Sequence, residues 1–133
     1  MTGTAEITTT TLSLTVDDVT ASRDFFVAHL GYEEAMAAPG FASLTRDDAA
    51  ADIVLLQRGT EVLPADQRDR RAEGIIVAFT VTALDAEEKR LREEGVVPTL
   101  EIREEPWGER LFQVTDPNGI VVQFVEWAVT GEE

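Results

Sequence analysis

No cysteine occurs among the 133 residues, and histidine and tyrosine appear once each. The missing thiols exclude a disulfide framework, a thiolate metal site and a cysteine nucleophile. Cationic side chains are scarce: 11 Lys and Arg stand against 26 Asp and Glu, a formal net charge of -15. Such a chain repels phosphate, which argues against a nucleic-acid partner. An acidic field favours solubility and also raises the on-rate of a cationic small molecule. No apolar run approaches the ~20 residues of a membrane span. The start, MTGTAEITTTTLS, has neither the basic patch nor the apolar stretch of a secretion signal. A cytoplasmic protein without a membrane partner is expected. The chain also lacks a Gly-rich phosphate loop, a nucleophile elbow and a pair of carboxylates at acid/base spacing.

What is present is self-similarity. LSLTVDDVTASRDFFVAHLGY (Leu12 to Tyr32) lies over VAFTVTALDAEEKRLREEGVV (Val77 to Val97), with Val16 matching Val81 at an offset of 65 and Gly31 matching Gly95 at 64. FASLTRD with ADIVLLQ matches LFQVTDP with IVVQFVE, at offsets of 70 and 69. Each copy reads as strand, helix and three strands. The first copy places them at about 7–16, 19–30, 32–37, 41–46 and 51–57, and the second at about 74–82, 84–94, 96–103, 110–115 and 120–126. Thr20 and Asp85 mark the helix starts, and Gly31 and Gly95 the stops. Gly59 to Gly74 has the Pro and charge content of a linker. Length predicts about one domain, spanning 1–133 as module one (about 7–58) and module two (about 74–127). In Asp116-Pro117-Asn118-Gly119, proline presets one torsion, and Asn and Gly accept left-handed geometry.

Period-two alternation assigns faces. Leu12, Leu14 and Val16 form one side of the first strand, opposite Thr9, Thr11, Ser13 and Thr15. Ile75, Val77, Phe79 and Val81 repeat the apolar side, leaving Ile76, Ala78 and Thr80 opposite. The apolar sides are expected beneath the helices, with Phe112, Val114, Val122 and Phe124 in the same core. The other sides are expected to line a concave cup in an α+β fold. His29, in the last turn of the first helix, reads as a surface residue favoured by the helix dipole.

These paired modules, with DPNG before the last strand, resemble the vicinal oxygen chelate superfamily of glyoxalases, extradiol dioxygenases, fosfomycin-resistance enzymes and bleomycin-resistance proteins. The resemblance covers almost the whole chain. It implies metal ligands on the first and last strands of each module, which here fall on Thr11, Val54, Ile76 and Gln123. Divalent sites draw on imidazole and carboxylate. Valine and isoleucine supply no electron pair, and no metal or other cofactor is expected.

PWGERLFQVTDPNGIVVQFVEW and GFASLTRDDAAADIVLL look most like the bleomycin-resistance branch, with Pro-Trp-Gly the more specific feature. That likeness implies a homodimer with grooves at its interface, sometimes exchanging N-terminal strands, and aromatic platforms at Phe41 and Trp107. Dimer packing is the competing reading for Trp107, and plain strand packing for Phe41. Alternation sends Thr11, Ser13, Asp52, Gln113 and Gln123 inward. The two glutamines either orient a ligand or satisfy each other, and Asp52 is the group to meet a cation. Arg110 is expected to brace the Pro-Trp-Gly loop against nearby glutamates, and Trp127 to cover an edge or an interface. The implied function is sequestration of a natural-product antibiotic, such as a bleomycin-like glycopeptide, an enediyne or a quinone. The alternative is a metal-dependent glyoxalase-type lyase or dioxygenase. An unliganded structural or regulatory module is the third.

Overall fold

The computed structural model describes residues 3–128. The chain divides into two compact units, one running to Arg71 and the other starting at Ala72. The first contains β1 (Thr11–Val16), α1 (Val19–His29), β2 (Glu33–Ala38), β3 (Phe41–Thr45) and β4 (Asp52–Gln57), followed by a 3-10 turn at Ala65–Gln67. The second contains β5 (Ile76–Thr80), α2 (Leu84–Glu93), β6 (Leu100–Glu104), β7 (Glu109–Thr115) and β8 (Val121–Trp127). Each unit is the strand, helix and three strands that the repeat predicts. The sheet orders correspond, β1-β4-β3-β2 and β5-β8-β7-β6. The first strand of each unit runs parallel to the last, and the remaining pairs are antiparallel.

The helices cover one face of each sheet, α1 over β3 and β4 and α2 over β7 and β8. Beneath α1 lie Leu14, Val16, Leu44, Ile53 and Leu55, and the helix adds Phe26, all buried. Phe26 meets Tyr32 edge-on at 5.6 Å. Beneath α2, Phe112 stacks on Phe124 at 5.2 Å, with Val77, Val114 and Val122 buried around them. The alternation read from the sequence therefore holds for both cores, except at Ile75, which precedes β5 and is exposed.

The helix ends differ from expectation in instructive ways. Asp18, not Thr20, is the N-cap of α1, its carboxylate accepting from the Ala21 N–H at 3.2 Å. α2 has no cap from its own loop. Glu126 of β8 accepts from the Leu84 N–H at 3.3 Å instead. Arg110 joins Asp85 of the first turn at 3.2 Å to Glu126 at 3.4 Å. Arg110 thus faces the helix side and fastens α2 to the sheet rather than bracing the Pro-Trp-Gly loop. Gly31 (φ 75) and Gly95 (φ 89) do end the helices. After α2, Gly95 N–H meets the Arg92 carbonyl and Val96 N–H the Leu91 carbonyl, a Schellman closure.

Three strands are shorter than their composition suggests, among them β5, which spans Ile76–Thr80 rather than 74–82. β1 begins at Thr11 rather than 7, because its parallel partner β4 begins at Asp52, opposite Thr11. Upstream, the Thr10 carbonyl accepts from Asp52 N–H at 3.0 Å. β6 begins at Leu100 rather than 96, just after Pro98, which has no N–H to give a ladder.

The Asp116 turn is held by its first side chain. Asp116 is 4% exposed and one carboxylate oxygen accepts from Asn118 N–H at 2.9 Å and Ile120 N–H at 2.8 Å. Gly119 takes positive φ (89), whereas Asn118 does not, correcting the left-handed role expected for it. Asp116→Ala strips two buried donors of their acceptor and is expected to cost about 2–4 kcal/mol. Chemical denaturation of both proteins would measure it, and a loss below about 0.5 kcal/mol would contradict the buried-cap account.

Candidate functional site

Each sheet has one face without a helix, and the ladder registers say which side chains share it. On the first sheet, Ser13, Val54, Ser43 and Met36 form one row across β1, β4, β3 and β2. Leu56, Phe41 and Ala38 form the next, and Thr11 and Asp52 pair at the far end. Thr11 and Ser13 are exposed, while Phe41, Asp52 and Val54 are half-buried. Phe41 therefore lies on the uncovered face, with Leu56 and Ala38 beside it.

On the second sheet, Ala78, Gln123, Gln113 and Leu100 form a row across β5, β8, β7 and β6. The Gln113 amide donates to the Gln123 carbonyl oxygen at 2.8 Å. The two glutamines thus bond each other, yet one N–H of Gln113 and both of Gln123 lie outside that bond. Ile76 is on the same face and 51% exposed.

Trp107 sits in the β6–β7 connection with 65% of its surface exposed. Its indole N–H donates to Glu109 at 2.8 Å, which fixes the ring while leaving it open to solvent. Glu109 pairs across the ladder with Trp127, which is 52% exposed and shares a face with Gln123. Trp127 closes β8 rather than lying beyond it. Its parity with Val121, Gln123 and Val125 was the available signal, and it depended on the strand running one residue further. Phe41 belongs to the first unit and Trp107 to the second.

The four positions corresponding to metal ligands occupy these same uncovered faces, Thr11 and Val54 on one sheet and Ile76 and Gln123 on the other. A hydroxyl, two hydrocarbons and an amide do not fit a divalent cation. Among the described residues, no group of three or more His, Cys, Asp or Glu is placed to hold a metal ion.

The family model described as the Glyoxalase/Bleomycin resistance protein/Dioxygenase superfamily matches residues 7–124. The chain belongs to that superfamily. No curated protein sequence matches it. Among solved structures, a superfamily protein from Nocardioides has a TM-score of 0.77 at 25% identity, covering 98% of this chain and 89% of that one. TnmS3, an antibiotic binding protein from Streptomyces sp. CB03234, has a TM-score of 0.72 at 22% identity, covering 94% and 99%. A lactoylglutathione lyase from Agrobacterium tumefaciens has a TM-score of 0.70 at 17% identity, covering 97% and 98%. The latter two show likeness of fold, and one superfamily fold thus serves both a binder and an enzyme.

Proposed function

We propose that this superfamily member binds a natural-product antibiotic and sequesters it, without a metal and without transforming it. The observation that carries this reading is the donor set, Thr11, Val54, Ile76 and Gln123, which offers a ligand surface and no coordination site. In its place stand an open indole, Trp107, and a half-buried ring, Phe41. These supply stacking surfaces, each worth about 0.5–1.5 kcal/mol beyond area burial. Thr11 and Ser13, with the outward amide groups of Gln113 and Gln123, orient ketones, amides or phenols. Asp52 meets a basic group. A bleomycin-like glycopeptide, an enediyne or a quinone suits groups of this chemistry, and the biological role is self-resistance. The likeness of fold to an antibiotic binding protein supports the same reading. The two modules act as one domain, in a cytoplasmic homodimer.

The test is tryptophan emission during titration with bleomycin, an enediyne and a quinone, in a Trp127→Phe background so that Trp107 reports alone. Saturable quenching by one class is expected. Because Trp107→Ala leaves that background without an indole, calorimetry follows its affinity, and about a tenfold loss is expected. Absence of binding, together with stoichiometric metal and chelator-sensitive turnover, would overturn the proposal in favour of a lyase or oxygenase.

A further inference from the structure

We infer that the cleft between the N-terminal segment and the β3–β4 loop recognises a protonated primary amine flanked by hydroxyl or amide groups, with Asp52 as its counter-ion. The cleft belongs wholly to the first unit and has a volume of about 420 Å³, within the range of small-molecule sites. Thr8, Thr9 and Thr10 form one wall and the loop carrying Arg46, Asp48 and three successive alanines the other. The inference rests on the binding reading in one respect, that the ligand is a small molecule.

The charges in the cleft are not equivalent. Asp48 is committed: Arg46 reaches its carboxylate at 2.7 Å and Ala50 N–H at 3.2 Å. These bonds hold the Asp48 carboxyl below the usual carboxylate range, the Arg46 contact acting most. Arg46 also donates to the Leu30 carbonyl at 2.6 Å and lies 6.0 Å from the Tyr32 ring centre. Gly31 permits that reach, since a Cβ there would fall 2.7 Å from the Arg46 guanidinium. Arg46 and Asp48 therefore neutralise each other in a fixed arrangement.

Asp52 is different. Its side chain makes no hydrogen bond or ion pair among the described residues, although it is half-buried and lines the cleft. The backbone places it firmly, through its N–H to Thr10 and its pairing with Thr11. The lining thus holds one uncompensated negative charge. A single carboxylate without companion ligands suits an organic ammonium rather than a divalent metal. The neighbouring hydroxyls supply acceptors and donors for the flanking groups: Thr9 donates to the Thr8 carbonyl at 2.7 Å, and its oxygen keeps acceptor capacity. The chain's net charge of -15 would raise the encounter rate of such a cation.

Glucosamine and N-acetylglucosamine separate this inference from simple sugar binding, since they share a ring and differ in charge. In an amide NMR titration at mildly acidic pH, glucosamine is expected to shift Thr8–Thr10 and Ala49–Asp52 saturably, and N-acetylglucosamine at least about tenfold more weakly. Asp52→Asn should weaken glucosamine binding by a similar factor with an unchanged unfolding midpoint. Ala50→Leu, which narrows the cleft and leaves the carboxylate in place, should also weaken it. Unperturbed amides at those residues, equal binding of the two sugars, or undiminished binding by Asp52→Asn would overturn the inference. Trp107→Ala should bind glucosamine like the parent. Loss of antibiotic quenching with amine binding intact would therefore sink the indole reading alone, and the converse pattern would sink this inference and the Asp52 contact while leaving the indole reading in place.

Discussion

Phe112→Ala is expected to destabilise the fold by about 3–5 kcal/mol, the range for deleting a fully buried aromatic side chain. Phe112 has no exposed surface, stacks on Phe124 at 5.2 Å and lies opposite it in the β7–β8 register. Phe124 in turn contacts Phe79 at 5.7 Å, so truncation opens a cavity inside a three-ring cluster. The next residue supplies the control. Gln113 points to the uncovered face, and Gln113→Ala removes one amide bond to Gln123, a change of about 1 kcal/mol. Urea unfolding of both variants tests the face assignment directly, because adjacent residues are predicted to differ severalfold. Similar losses for the two would mean that the helix-covered face has been wrongly assigned.

A loss of stability between about pH 10 and pH 12 is the second expected result, and Tyr32 is its source. Burial pushes the Tyr32 phenol from 10.0 to about 12, with Asp48 and Asp52 adding to the rise and Arg46 opposing it. Its hydroxyl donates to the Ala51 carbonyl at 2.7 Å, a bond that the neutral form alone can make. The unfolded chain releases the phenolic proton near pH 10 while the folded chain retains it. Stability from this group is therefore complete below the unfolded value and falls as pH rises toward the folded one, by roughly 2–3 kcal/mol in all. Tyr32 is the single tyrosine, so phenolate absorbance reports on it alone. Tyr32→Phe should lower stability by about 1 kcal/mol at neutral pH and flatten the alkaline slope. A phenolate midpoint near 10 in the folded protein would refute the burial argument.

The fold was largely legible because its main signals are local. Alternation in LSLTV and IVVQFV is a property of each strand taken separately, and it assigned Leu14, Val16, Val122 and Phe124 to the core before any partner was known. The glycines after each helix and the Asp-Pro-Asn-Gly turn are equally local, since positive φ and a side chain that caps its own turn need only a few consecutive residues. The repeat then joined these pieces into two copies of one topology. What failed was of another kind. Thr20 lost the capping role to Asp18, two residues upstream, because entry into a helix depends on backbone geometry that residue type alone underdetermines. The extent of β1 was overread because the threonine run extends upstream of Thr11, the residue opposite which β4 begins.

The candidate site divides along the same line. The sequence by itself determined that hydrocarbon, hydroxyl and amide side chains stand where the superfamily resemblance puts metal ligands. Side-chain chemistry needs no coordinates. It also determined which residues alternate away from the helices. The tertiary structure decided the partners: Glu126 capping α2 from 42 residues away, Arg110 turning to Asp85, Gln113 bonding Gln123 and Glu109 fixing Trp107. It also left the Asp52 side chain without a hydrogen bond or ion pair among the described residues, in a cleft whose other charges are paired. Such outcomes depend on register between strands distant in the chain and on the reach of long side chains. Neither is carried by the period of any one segment.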